Sequence, residues 1–310
     1  MNSKYLYIDE GGPKELWQSA LGEEVTLVTP EDTFDKNQIE YALVWNPSTL
    51  ALYGYPNLKG ICNLGAGVDE LLGGDTYLPD VPIIRLVDPT LRADMIEYVI
   101  WAIARHRRGL DNYYNYFGGA ALEHDATYHK RLSIGIMGLG YIGGRLAKTL
   151  TDLGPNYKVS GWAKHKHVIL GARTYVGWKE FNTFLTKLDV LVCTLPLTPV
   201  TQGIISSGEL SRLRKGAHVI NIGRADHVDM DALLKAMVSK QISGATLDVY
   251  DPTPKTHSGL YLASVPGLFM TPHIAGRLDF DAASNQIERA ISAIEQGRTP
   301  DNTVDTIKGY

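Results

Sequence analysis

Cysteine, net charge and long apolar runs are all scarce in this sequence of 310 residues. Its two cysteines, Cys62 and Cys193, stand far apart, which excludes a disulfide framework and leaves no zinc-ligand spacing. A formal net charge of -4 provides no electrostatic attraction to nucleic acid or to an acidic membrane surface. No apolar stretch approaches the length of a membrane span, and the first residues lack the apolar run of a signal peptide. We therefore expect a cytoplasmic soluble protein with no metal site, no nucleic-acid partner and no membrane partner.

What the sequence does contain is short apolar runs at regular intervals. Its 44% hydrophobic and 21% charged content is that of an ordinary globular protein. In the N-terminal third, runs such as "KYLYID", "YALVWN" and "VPIIRLVD" are separated by helix-sized gaps. A second series begins with "RLSIGIMGLG" and ends with "GLFMTPH". Strands that alternate with helices in this way predict parallel α/β domains.

Two long helical patterns accompany the strand series. Residues 93–117 carry apolar side chains at helical spacing and form the longest predicted helix, and residues 279–297 form the last one. The sequence therefore predicts two doubly wound domains, with a boundary near residue 99 and a return crossing near residue 276.

A glycine fingerprint lies at the start of the second strand series. Gly138, Gly140 and Gly143 follow an apolar strand and open a helix. In a dinucleotide site, the first glycine permits a tight turn, the second lets a pyrophosphate approach the backbone, and the third packs the helix on the strand. The helix N-terminus then presents partial positive charge to the phosphates. A bare glycine turn can end a strand for structural reasons alone, but this strand–turn–helix setting predicts a dinucleotide site.

The end of the next strand indicates which dinucleotide is bound. An NAD site usually carries Asp or Glu there, roughly 20 residues beyond the fingerprint, to hold the ribose 2′-hydroxyl. Here the segment from Ser160 to His167 contains no acid and includes Lys164 and Lys166. Two cations suit a 2′-phosphate, so we expect NADPH as the cofactor, with NADH as the weaker alternative. A solvated basic turn is the structural alternative.

Several motifs in a fixed order resemble one family. The chain is similar to the D-2-hydroxyacid dehydrogenases, most of all to their glyoxylate/hydroxypyruvate reductase A branch. The resemblance rests on "YALVWNP", "NLGAGVDELL", "MIEYVIWAI", "GIMGLGYIGGRLA", "LPLTPVTQGII", "VINIGRADHVD", "LDVYDPTP", "TPHIAG" and the final "GY". It implies two Rossmann-like doubly wound domains, with an NAD(P)-binding Rossmann domain of residues 99–276 inserted into a discontinuous, flavodoxin-like substrate domain of residues 1–98 and 277–310. It also implies a homodimer formed through the nucleotide-binding domain.

The resemblance assigns roles to single residues of this chain. Arg224, in "NIGRA", matches the arginine that grips the substrate carboxylate, which a guanidinium can do through two parallel hydrogen bonds. His273, in "TPHIA", matches the proton donor of the carbonyl reduction. Ala66 and Gly67, in "GAG", match a loop whose backbone N–H groups receive the other side of the carboxylate. Trp45 matches an aromatic residue near the substrate, although a core tryptophan fits the same position.

The remaining matches line the cofactor site, together with Arg224 and His273. Asp248 matches an acid near the nicotinamide amide. The other positions predicted to contact the cofactor are Gly138, Gly140, Tyr141, Ile142, Gly143, Trp162, Lys164, Lys166, Leu195, Pro196, Thr201, Ile222, Gly223 and Ala275.

One position departs from the family pattern. In a "DVFEPEP"-like segment of the family, the second acid hydrogen-bonds the catalytic histidine, whereas this chain reads "DVYDPTP". Asp251 aligns with the first, peripheral acid and Thr253 with the catalytic one. A hydroxyl can orient an imidazole but cannot stabilise its protonated form electrostatically. Thr253 is therefore the third predicted catalytic position, and we expect the histidine beside it to be a weaker base than in the family.

Three functions fit these residues. The first is NADPH-dependent hydride transfer to C2 of a small 2-oxo acid, such as glyoxylate or hydroxypyruvate, to give the D-2-hydroxy acid. The second is reduction of a 2-imino acid to an amino acid, because a C=N substrate can arrive already protonated and needs little acid catalysis. The third is a catalytically inactive, cofactor-bound regulator. The retention of Arg224, His273 and the glycine fingerprint argues against the third function.

Two further features have no motif to define them. Arg92, in "VDPTLRADM", either shapes the substrate pocket or is a solvated charge at a helix start. The eight histidines other than His273 have no catalytic setting, and we expect them to be solvated, with His106 favoured by the dipole at the end of the long helix.

Overall fold

The computed structural model describes residues 3–9, 12–48, 50–73, 77–113, 131–250 and 259–306. Two positions discussed above, Asp251 and Thr253, lie outside these ranges. The chain divides into two compact units: unit 1 comprises residues 1–91 and 278–310, and unit 2 comprises residues 92–277. Unit 1 is therefore built from both ends of the chain and unit 2 from its middle.

A parallel sheet forms the centre of unit 1. Its described strands are β1 (Ser3–Ile8), β2 (Val25–Val28), β3 (Ile39–Val44), β4 (Gly60–Asn63) and β5 (Ile83–Arg85). They lie in the order β2-β1-β3-β4-β5, and all are parallel. The order reverses between β1 and β3, and the carboxyl ends of strands at such a reversal form the crevice where open α/β sheets bind ligands. Beside β5, the N–H of Val304 donates to the carbonyl of Ile83 at 2.8 Å, so the C-terminal segment covers this edge.

A larger parallel sheet forms the centre of unit 2. Its described strands are β6 (Leu132–Met137), β7 (Tyr157–Ala163), β8 (Arg173–Val176), β9 (Val190–Cys193), β10 (Ala217–Asn221), β11 (Ile242–Leu247) and β12 (Leu268–Met270). They lie in the order β12-β11-β10-β9-β6-β7-β8. Counted within the unit, this is the 3-2-1-4-5-6 order of a dinucleotide-binding sheet with one further strand. The order reverses between β6 and β9, so the crevice at their carboxyl ends is the expected nucleotide site.

Helices cover both faces of each sheet. Those described are α1 (Lys14–Leu21), α2 (Asp69–Leu72), α3 (Pro89–Arg108), α4 (Tyr141–Asp152), α5 (Gly177–Leu185), α6 (Ser207–Arg212), α7 (Met230–Val238), α8 (Gly259–Ala263) and α9 (Phe280–Glu295), with 3-10 turns at Lys36–Gln38, Leu110–Tyr113 and Ala225–His227. Side-chain caps fix several starts, as where Asp229 accepts from the N–H of Ala232 in α7 and Asp279 from that of Ala282 in α9. Among the described residues, no helix is both long enough and apolar enough to cross a membrane.

Each sheet has an apolar core on either face because alternate residues of a strand point to opposite sides. In β3, Leu43 packs in one core with Trp17 of α1 and Ile287 of α9, whereas its neighbours Ala42 and Val44 belong to the other core. In unit 2, α3 and α4 cover one face and α5, α6 and α7 the other. With both faces occupied by apolar packing, the side chains that carry chemistry gather at the strand ends.

The predicted fold class, α/β with two doubly wound sheets, is confirmed. Two details differ from the sequence-based expectation. The sequence patterns miss β8, because this edge strand, "RTYV", is only partly buried. Helix α3 begins at Pro89 rather than at residue 93, because Asp88 accepts from the N–H of Thr90 at 2.7 Å and caps the helix. It ends at Arg108 rather than at residue 117, and Gly109 follows with a left-handed φ of 56°.

Candidate functional site

Five loops at one edge of the unit 2 sheet carry most of the predicted site residues. They follow the carboxyl ends of β6, β9, β10, β11 and β12, which are five neighbouring strands. Parallel strands bring the loops at their carboxyl ends to one edge. In strand order, these loops carry the glycine fingerprint, Leu195 and Pro196, Gly223 and Arg224, Asp248, and His273. Residues far apart in the sequence thus share one edge of unit 2, and three more predicted positions, Ile142, Ile222 and Ala275, pack into the core beneath α3 and α4.

Protein sterics explain two of the three fingerprint glycines. Gly138 has a φ of 92°, a left-handed conformation that favours glycine. A Cβ on Gly143 would lie 2.0 Å from the carbonyl oxygen of Gly138, so α4 approaches the strand only because residue 143 has no side chain. Gly140 has an ordinary φ of -73°, and a Cβ on it would meet no protein atom within 4 Å. The protein itself does not require glycine at position 140, whereas the close approach of a pyrophosphate to the N-terminus of α4 does.

Arg92 lies beside the fingerprint. Its guanidinium carbon is 4.2 Å from the ring centroid of Tyr141, the first residue of α4, which is a cation–π contact. Arg92 is half-buried, so it is not a fully solvated charge at a helix start. The contact adds a permanent positive charge near the N-terminus of α4, where the helix dipole also favours an anion. The alternative that Arg92 shapes the substrate pocket stays a prediction.

The two lysines predicted to bind the 2′-phosphate lie in the loop that follows strand β7. Lys164 follows β7 directly, and both Lys164 and Lys166 are exposed. Trp162, inside the strand, has a different environment. It is 3% exposed, its indole N–H donates to the carbonyl of Gly177 at 2.8 Å, and its ring packs against Phe181. The ring of Trp162 therefore stabilises the core of unit 2, and its contact with the cofactor stays a prediction.

Thr201 shapes the loop that follows β9. Its hydroxyl accepts from the N–H of Thr198 at 2.8 Å and donates to the carbonyl of Pro196 at 2.8 Å. Thr201 is buried, Leu195 is half-buried and Pro196 is exposed. Thr201 thus holds the backbone of Pro196, one of the residues predicted to line the cofactor site.

Two buried polar side chains hold the backbone on both sides of Arg224, which is itself half-buried. Asn221, the last residue of β10, accepts from the N–H of Gly223 at 3.0 Å and donates to the carbonyl of Arg224 at 2.8 Å. His227 accepts from the N–H of Arg224 at 3.0 Å through Nδ1. Asn221 and His227 are both 0% exposed. The backbone that carries the predicted carboxylate-binding side chain is therefore fixed before any substrate arrives.

His273 lies in a strained turn that Asp248 holds in place. Its φ of 55° is left-handed, which costs a non-glycine residue about 1–3 kcal/mol. The N–H of His273 donates to the carbonyl of Asp248 at 2.9 Å. The buried carboxylate of Asp248 accepts from the N–H groups of Ile274 at 2.8 Å and Ala275 at 2.9 Å, and from the hydroxyl of Thr271 at 2.7 Å. Asp248 therefore orders the backbone around the predicted proton donor.

The hydrogen bonds around Asp248 extend to helix α3. The hydroxyl oxygens of Tyr98 and Thr271 are 2.6 Å apart. Because Thr271 donates its own proton to Asp248, Tyr98 is the donor to Thr271. Burial raises the pKa of Tyr98, so the phenol keeps the proton that it donates. A continuous chain of hydrogen bonds thus runs from α3 to the turn that carries His273.

The imidazole of His273 is exposed, and within the described part of unit 2 no side chain forms a hydrogen bond with it. Thr253, at the position where the family places the partner of this histidine, lies outside the described residues. The contact between Thr253 and His273 therefore stays a prediction.

Unit 1 contains the loop predicted to bind the carboxylate through its backbone. Asn63, the last residue of β4, is 2% exposed and donates through Nδ2 to the carbonyls of Gly65 and Gly67, each at 2.8 Å. In a trans peptide the N–H points opposite to the C=O, so the N–H of Ala66 points away from Asn63. A Cβ on Gly65 would lie 2.1 Å from a ring carbon of Trp45. The structure thus brings Trp45 and the "GAG" loop together within unit 1, where Trp45 also packs against the core.

The expectation that the other histidines are solvated is wrong for His218 and His227. His227 is 0% exposed and His218 is 6% exposed. The Nε2 of His218 lies 2.9 Å from the hydroxyl of Thr246, and its ring stacks on that of His106 with a centroid distance of 4.8 Å. His106 is half-buried and is not a solvated charge at the helix end. The apolar neighbours of residue 218 in "AHVIN" are the sequence signal for burial.

Asn63, Asn221 and the structural part played by His227 are not among the features predicted from the sequence. Each asparagine is the polar residue that closes an apolar strand, in "GICN" and in "AHVIN". A buried polar side chain needs hydrogen-bond partners, and the nearest free backbone groups are those of the loop that follows the strand. A polar residue at the carboxyl end of a predicted interior strand is therefore a usable signal for a supported functional loop.

Comparisons with known proteins agree with this architecture. The family model for D-isomer specific 2-hydroxyacid dehydrogenase, NAD binding domain, matches residues 99–275, which is more than half of the chain. Glyoxylate/hydroxypyruvate reductase A of Yersinia enterocolitica is 34% identical over 284 residues, which cover 89% of each chain. The protein of the same name from Citrobacter koseri is 34% identical over 290 residues, with the same coverage.

Solved structures give the same result. A D-isomer specific 2-hydroxyacid dehydrogenase from Xanthobacter autotrophicus, in complex with NADPH and MES, has a TM-score of 0.89 at 31% identity, covering 100% of both chains. An NADPH-dependent glyoxylate/hydroxypyruvate reductase from Sinorhizobium meliloti, in complex with NADP and sulfate, has a TM-score of 0.86 at 29% identity, again over 100% of both chains. The chain therefore belongs to the D-isomer specific 2-hydroxyacid dehydrogenase family and is an NAD(P)H-dependent oxidoreductase.

Proposed function

We propose that this protein reduces a small 2-oxo acid of the glyoxylate or hydroxypyruvate type at C2, with NADPH as hydride donor and the D-2-hydroxy acid as product. The observation that carries the proposal is the shared edge of the unit 2 sheet, where the glycine fingerprint, Arg224 and His273 follow strands of one sheet. The relatives named glyoxylate/hydroxypyruvate reductase A, 34% identical over most of the chain, support the substrate class.

The residues at this edge divide the chemistry between them. When bound, NADPH supplies the hydride. The guanidinium of Arg224 donates to the substrate carboxylate and to the carbonyl oxygen, which holds the substrate plane and draws electron density from C2. His273 then gives its proton to the carbonyl oxygen, which becomes the hydroxyl of the product. Because Asn221 and Asp248 fix the backbones of these two residues, neither has to be ordered during the reaction.

The proposal of NADPH rests on Lys164 and Lys166, which follow β7 where an NAD site would place an acid. Their ammonium groups can neutralise a 2′-phosphate, whereas NADH offers only a hydroxyl there. Changing both lysines to alanine should raise the KM for NADPH by about tenfold or more, because charge-assisted hydrogen bonds contribute about 1.5–3 kcal/mol each, and should leave the KM for NADH nearly unchanged. Initial rates with the two cofactors make this comparison. Equal losses for both would contradict the assignment.

The reductase activity is tested with purified protein, NADPH and either glyoxylate or hydroxypyruvate. Consumption of NADPH is followed by absorbance, and the hydroxypyruvate product is analysed by chiral chromatography, where the D isomer is expected. Arg224→Ala is the matched control, because it removes the guanidinium and leaves the fingerprint intact. If the wild-type protein oxidises no NADPH with any 2-oxo acid, the proposal is wrong.

A second candidate function, reduction of 2-imino acids to amino acids, is favoured by Thr253. This residue replaces the carboxylate that the family places beside its catalytic histidine. A protonated imine becomes a neutral amine on receiving a hydride and needs no further proton, so the missing carboxylate would cost such a reaction little. Adding ammonia to the oxo acid, or forming the imine with an amino-acid oxidase, distinguishes the two candidates. Faster NADPH oxidation with ammonia than without it would favour the imine. An inactive regulator is not proposed, since Arg224 and His273 are both retained.

Restoring the carboxylate tests the part that Thr253 plays. In Thr253→Glu, a negative charge beside His273 should keep the imidazole protonated to higher pH, because a nearby opposite charge favours the charged form. Reduction of the oxo acid should then hold up to higher pH, by about 1–3 pH units. Reduction of a protonated imine should gain little. The measurement is kcat/KM against pH for both substrates in both proteins. An unchanged profile for the oxo acid would show that Thr253 does not face His273.

We also propose a homodimer formed through unit 2, as the family resemblance implies. Size-exclusion chromatography with light scattering should give twice the mass of one chain. The mass of a single chain would contradict this assembly.

A further inference from the structure

His227 is a buried histidine with both ring nitrogens engaged. It is 0% exposed, and its Nδ1 accepts from the backbone N–H of Arg224 at 3.0 Å. A backbone N–H can only donate, so Nδ1 carries no proton and the proton of the neutral ring is on Nε2. Nε2 lies 3.2 Å from the carbonyl oxygen of Pro196, which can only accept. The contacts therefore select one tautomer of a neutral imidazole.

The ring of His227 also defines the shape of the loop that carries Arg224. A Cβ on Gly223 would lie 2.9 Å from Nδ1 of His227, so the ring packs directly against that glycine. The backbone N–H of His227 donates to the carbonyl of Arg224 at 3.2 Å, and the side chain of Asn221 donates to the same carbonyl at 2.8 Å. His227 thus contacts both polar groups of the Arg224 backbone, one through its ring and one through its main chain.

Through its other nitrogen, His227 reaches the loop predicted to line the cofactor. The carbonyl of Pro196, which accepts from Nε2, also accepts from the hydroxyl of Thr201 at 2.8 Å. One imidazole thereby joins the loop after β9 to the loop after β10, two neighbouring strands of the sheet. Each ring nitrogen serves a different loop, so the two functions of the ring can be separated by mutation.

We propose that His227 is a positioning residue: Nδ1 sets the backbone of Arg224 for the substrate, and Nε2–H sets the backbone of Pro196 for the cofactor. This inference rests on the proposed function, because it assigns the substrate to one loop and the cofactor to the other. His227 itself touches neither ligand and acts through the two loops.

Two substitutions separate the two nitrogens. His227→Asn keeps an acceptor near the position of Nδ1 and removes the donor at Nε2. His227→Gln keeps a donor near the position of Nε2 and removes the acceptor at Nδ1. Since the loss of one hydrogen bond weakens an interaction by about twofold to tenfold, we expect His227→Gln to raise the KM for glyoxylate by about that factor, with little change in the Kd of NADPH. We expect the reverse for His227→Asn. The measurements are steady-state kinetics and NADPH titration by fluorescence.

The crossed pattern is what a merely structural residue would not produce. Loss of packing alone would weaken both ligands in both variants, and that outcome, or no change in either variant, would overturn the inference. If only one variant folds, as judged by circular dichroism, that variant alone tests the inference: its expected constant, KM for His227→Gln or Kd for His227→Asn, must change while the other does not. If neither folds, His227 is a structural residue and the inference is wrong. The matched control is His218→Gln, a change at a second buried histidine, which lies in β10; it should lower the melting temperature and leave the KM for glyoxylate and the Kd of NADPH unchanged.

A double-mutant cycle with Arg224→Lys provides the second readout. If His227 acts on the substrate through Arg224, the effect of His227→Gln on the KM for glyoxylate should largely disappear in the Arg224→Lys background, because effects on one interaction are not additive. Full additivity would overturn the inference. Failure of the proposed function is recognised separately, because the wild-type protein would then reduce no 2-oxo acid at all.

Discussion

Each unit closes an interior strand with a buried asparagine, and the two asparagines are used differently. Asn63 ends β4 in unit 1, and its Nδ2 donates to two carbonyls of the following loop, each at 2.8 Å. Asn221 ends β10 in unit 2 and uses both ends of its amide, accepting from the N–H of Gly223 and donating to the carbonyl of Arg224. The same residue type at the same place in a parallel sheet therefore supports two kinds of loop.

The difference follows from what each loop presents. In unit 1 the carbonyls are turned toward the asparagine, so the intervening peptide N–H group is turned away from it, which suits an anion held by backbone dipoles. In unit 2 the amide clamps the residues around one arginine, so the loop presents a guanidinium, which suits a carboxylate held by two parallel hydrogen bonds. A backbone site tolerates changes of nearby side chains as long as its support remains, whereas a guanidinium site depends on one side chain.

The largest effect that this comparison predicts is at Arg224. Arg224→Lys keeps the positive charge but loses the planar fork. We therefore expect kcat/KM for glyoxylate to fall on the order of a hundredfold or more, because the activation free energy rises by several kcal/mol. Initial-rate kinetics measure the loss, and the Kd of NADPH should stay close to that of the wild type. Near-normal turnover would show that the carboxylate is held elsewhere.

The two asparagines should differ when each is changed to aspartate. Asn63→Asp removes the donor from both loop carbonyls and brings a carboxylate against them, so the free energy of unfolding should fall by about 2–4 kcal/mol. Asn221→Asp keeps the acceptor for Gly223 and loses one donor, so the expected cost is about 1–2 kcal/mol. Urea unfolding measures both values.

Activity adds a second difference between these variants. Asn221→Asp should lower kcat/KM by disturbing Arg224, and Asn63→Asp should raise the KM for glyoxylate if its loop binds the carboxylate. The control is Asn182→Asp on α5, an exposed change of the same charge, which should alter stability by no more than about 0.5 kcal/mol. Equal stability losses at positions 63 and 221 would show that the number of hydrogen bonds lost does not set the cost.

The fold follows from the sequence because its signals are local. Apolar runs of strand length separated by helix-sized gaps are enough to predict two parallel sheets. Strand β8 is missed because an edge strand is not buried on both faces and "RTYV" carries no continuous apolar run. The start of α3 is missed because it depends on one hydrogen bond, which the N–H of Thr90 donates to Asp88, although Asp followed by Pro is a recognisable start signal.

Only some of the residues of the candidate site have a local sequence signal. The glycine fingerprint is found because it lies between a predicted strand and a predicted helix, whereas Arg224 and His273 are found because their motifs resemble those of the family. The hydrogen bonds that hold the turn of His273 are not predicted from the sequence, because the hydroxyl of Tyr98 is 173 positions away from its partner Thr271. The part played by His227 depends on the carbonyl of Pro196, 31 positions away. Neither contact can be predicted without the strand order, because the strand order determines which loops are neighbours.

The two units also differ in how they should respond to acid. All nine histidines lie between residues 106 and 273, so unit 2 holds every histidine and unit 1 holds none. Burial lowers the pKa of His218 well below its ordinary value of 6.5, with smaller contributions from the neighbouring His106 and Arg105. Burial likewise lowers the pKa of His106. In both cases the folded state binds a proton less readily than the unfolded state does.

The sign of the pH effect follows from this difference. Above about pH 7.5 both rings are almost wholly neutral in either state, so their contribution to stability is constant. As the pH falls below that value, His218 and His106 take up protons in the unfolded state but not in the folded state, where their pKa values are lower. The stability of unit 2 should therefore fall, by at most about 1.4 kcal/mol per pH unit for each ring. Unit 1 has no such contribution.

Each unit contains one buried cysteine, Cys62 in unit 1 and Cys193 in unit 2, so thiol labelling measures the unfolding of each unit separately. Burial raises the pKa of both thiols to about 12, so neither reacts while its unit is folded. A disulfide reagent that stays reactive in mild acid, such as dithiodipyridine, is added in moderate urea between about pH 7.5 and pH 5.5, the window in which unperturbed histidines take up protons. Labelling of Cys193 should accelerate as the pH falls, whereas labelling of Cys62 should change little. His218→Gln should flatten the response of Cys193, because it removes the more strongly perturbed ring. Equal acceleration at Cys62 would mean that acid does not act on unit 2 alone, and the proposed contrast between the units would be wrong.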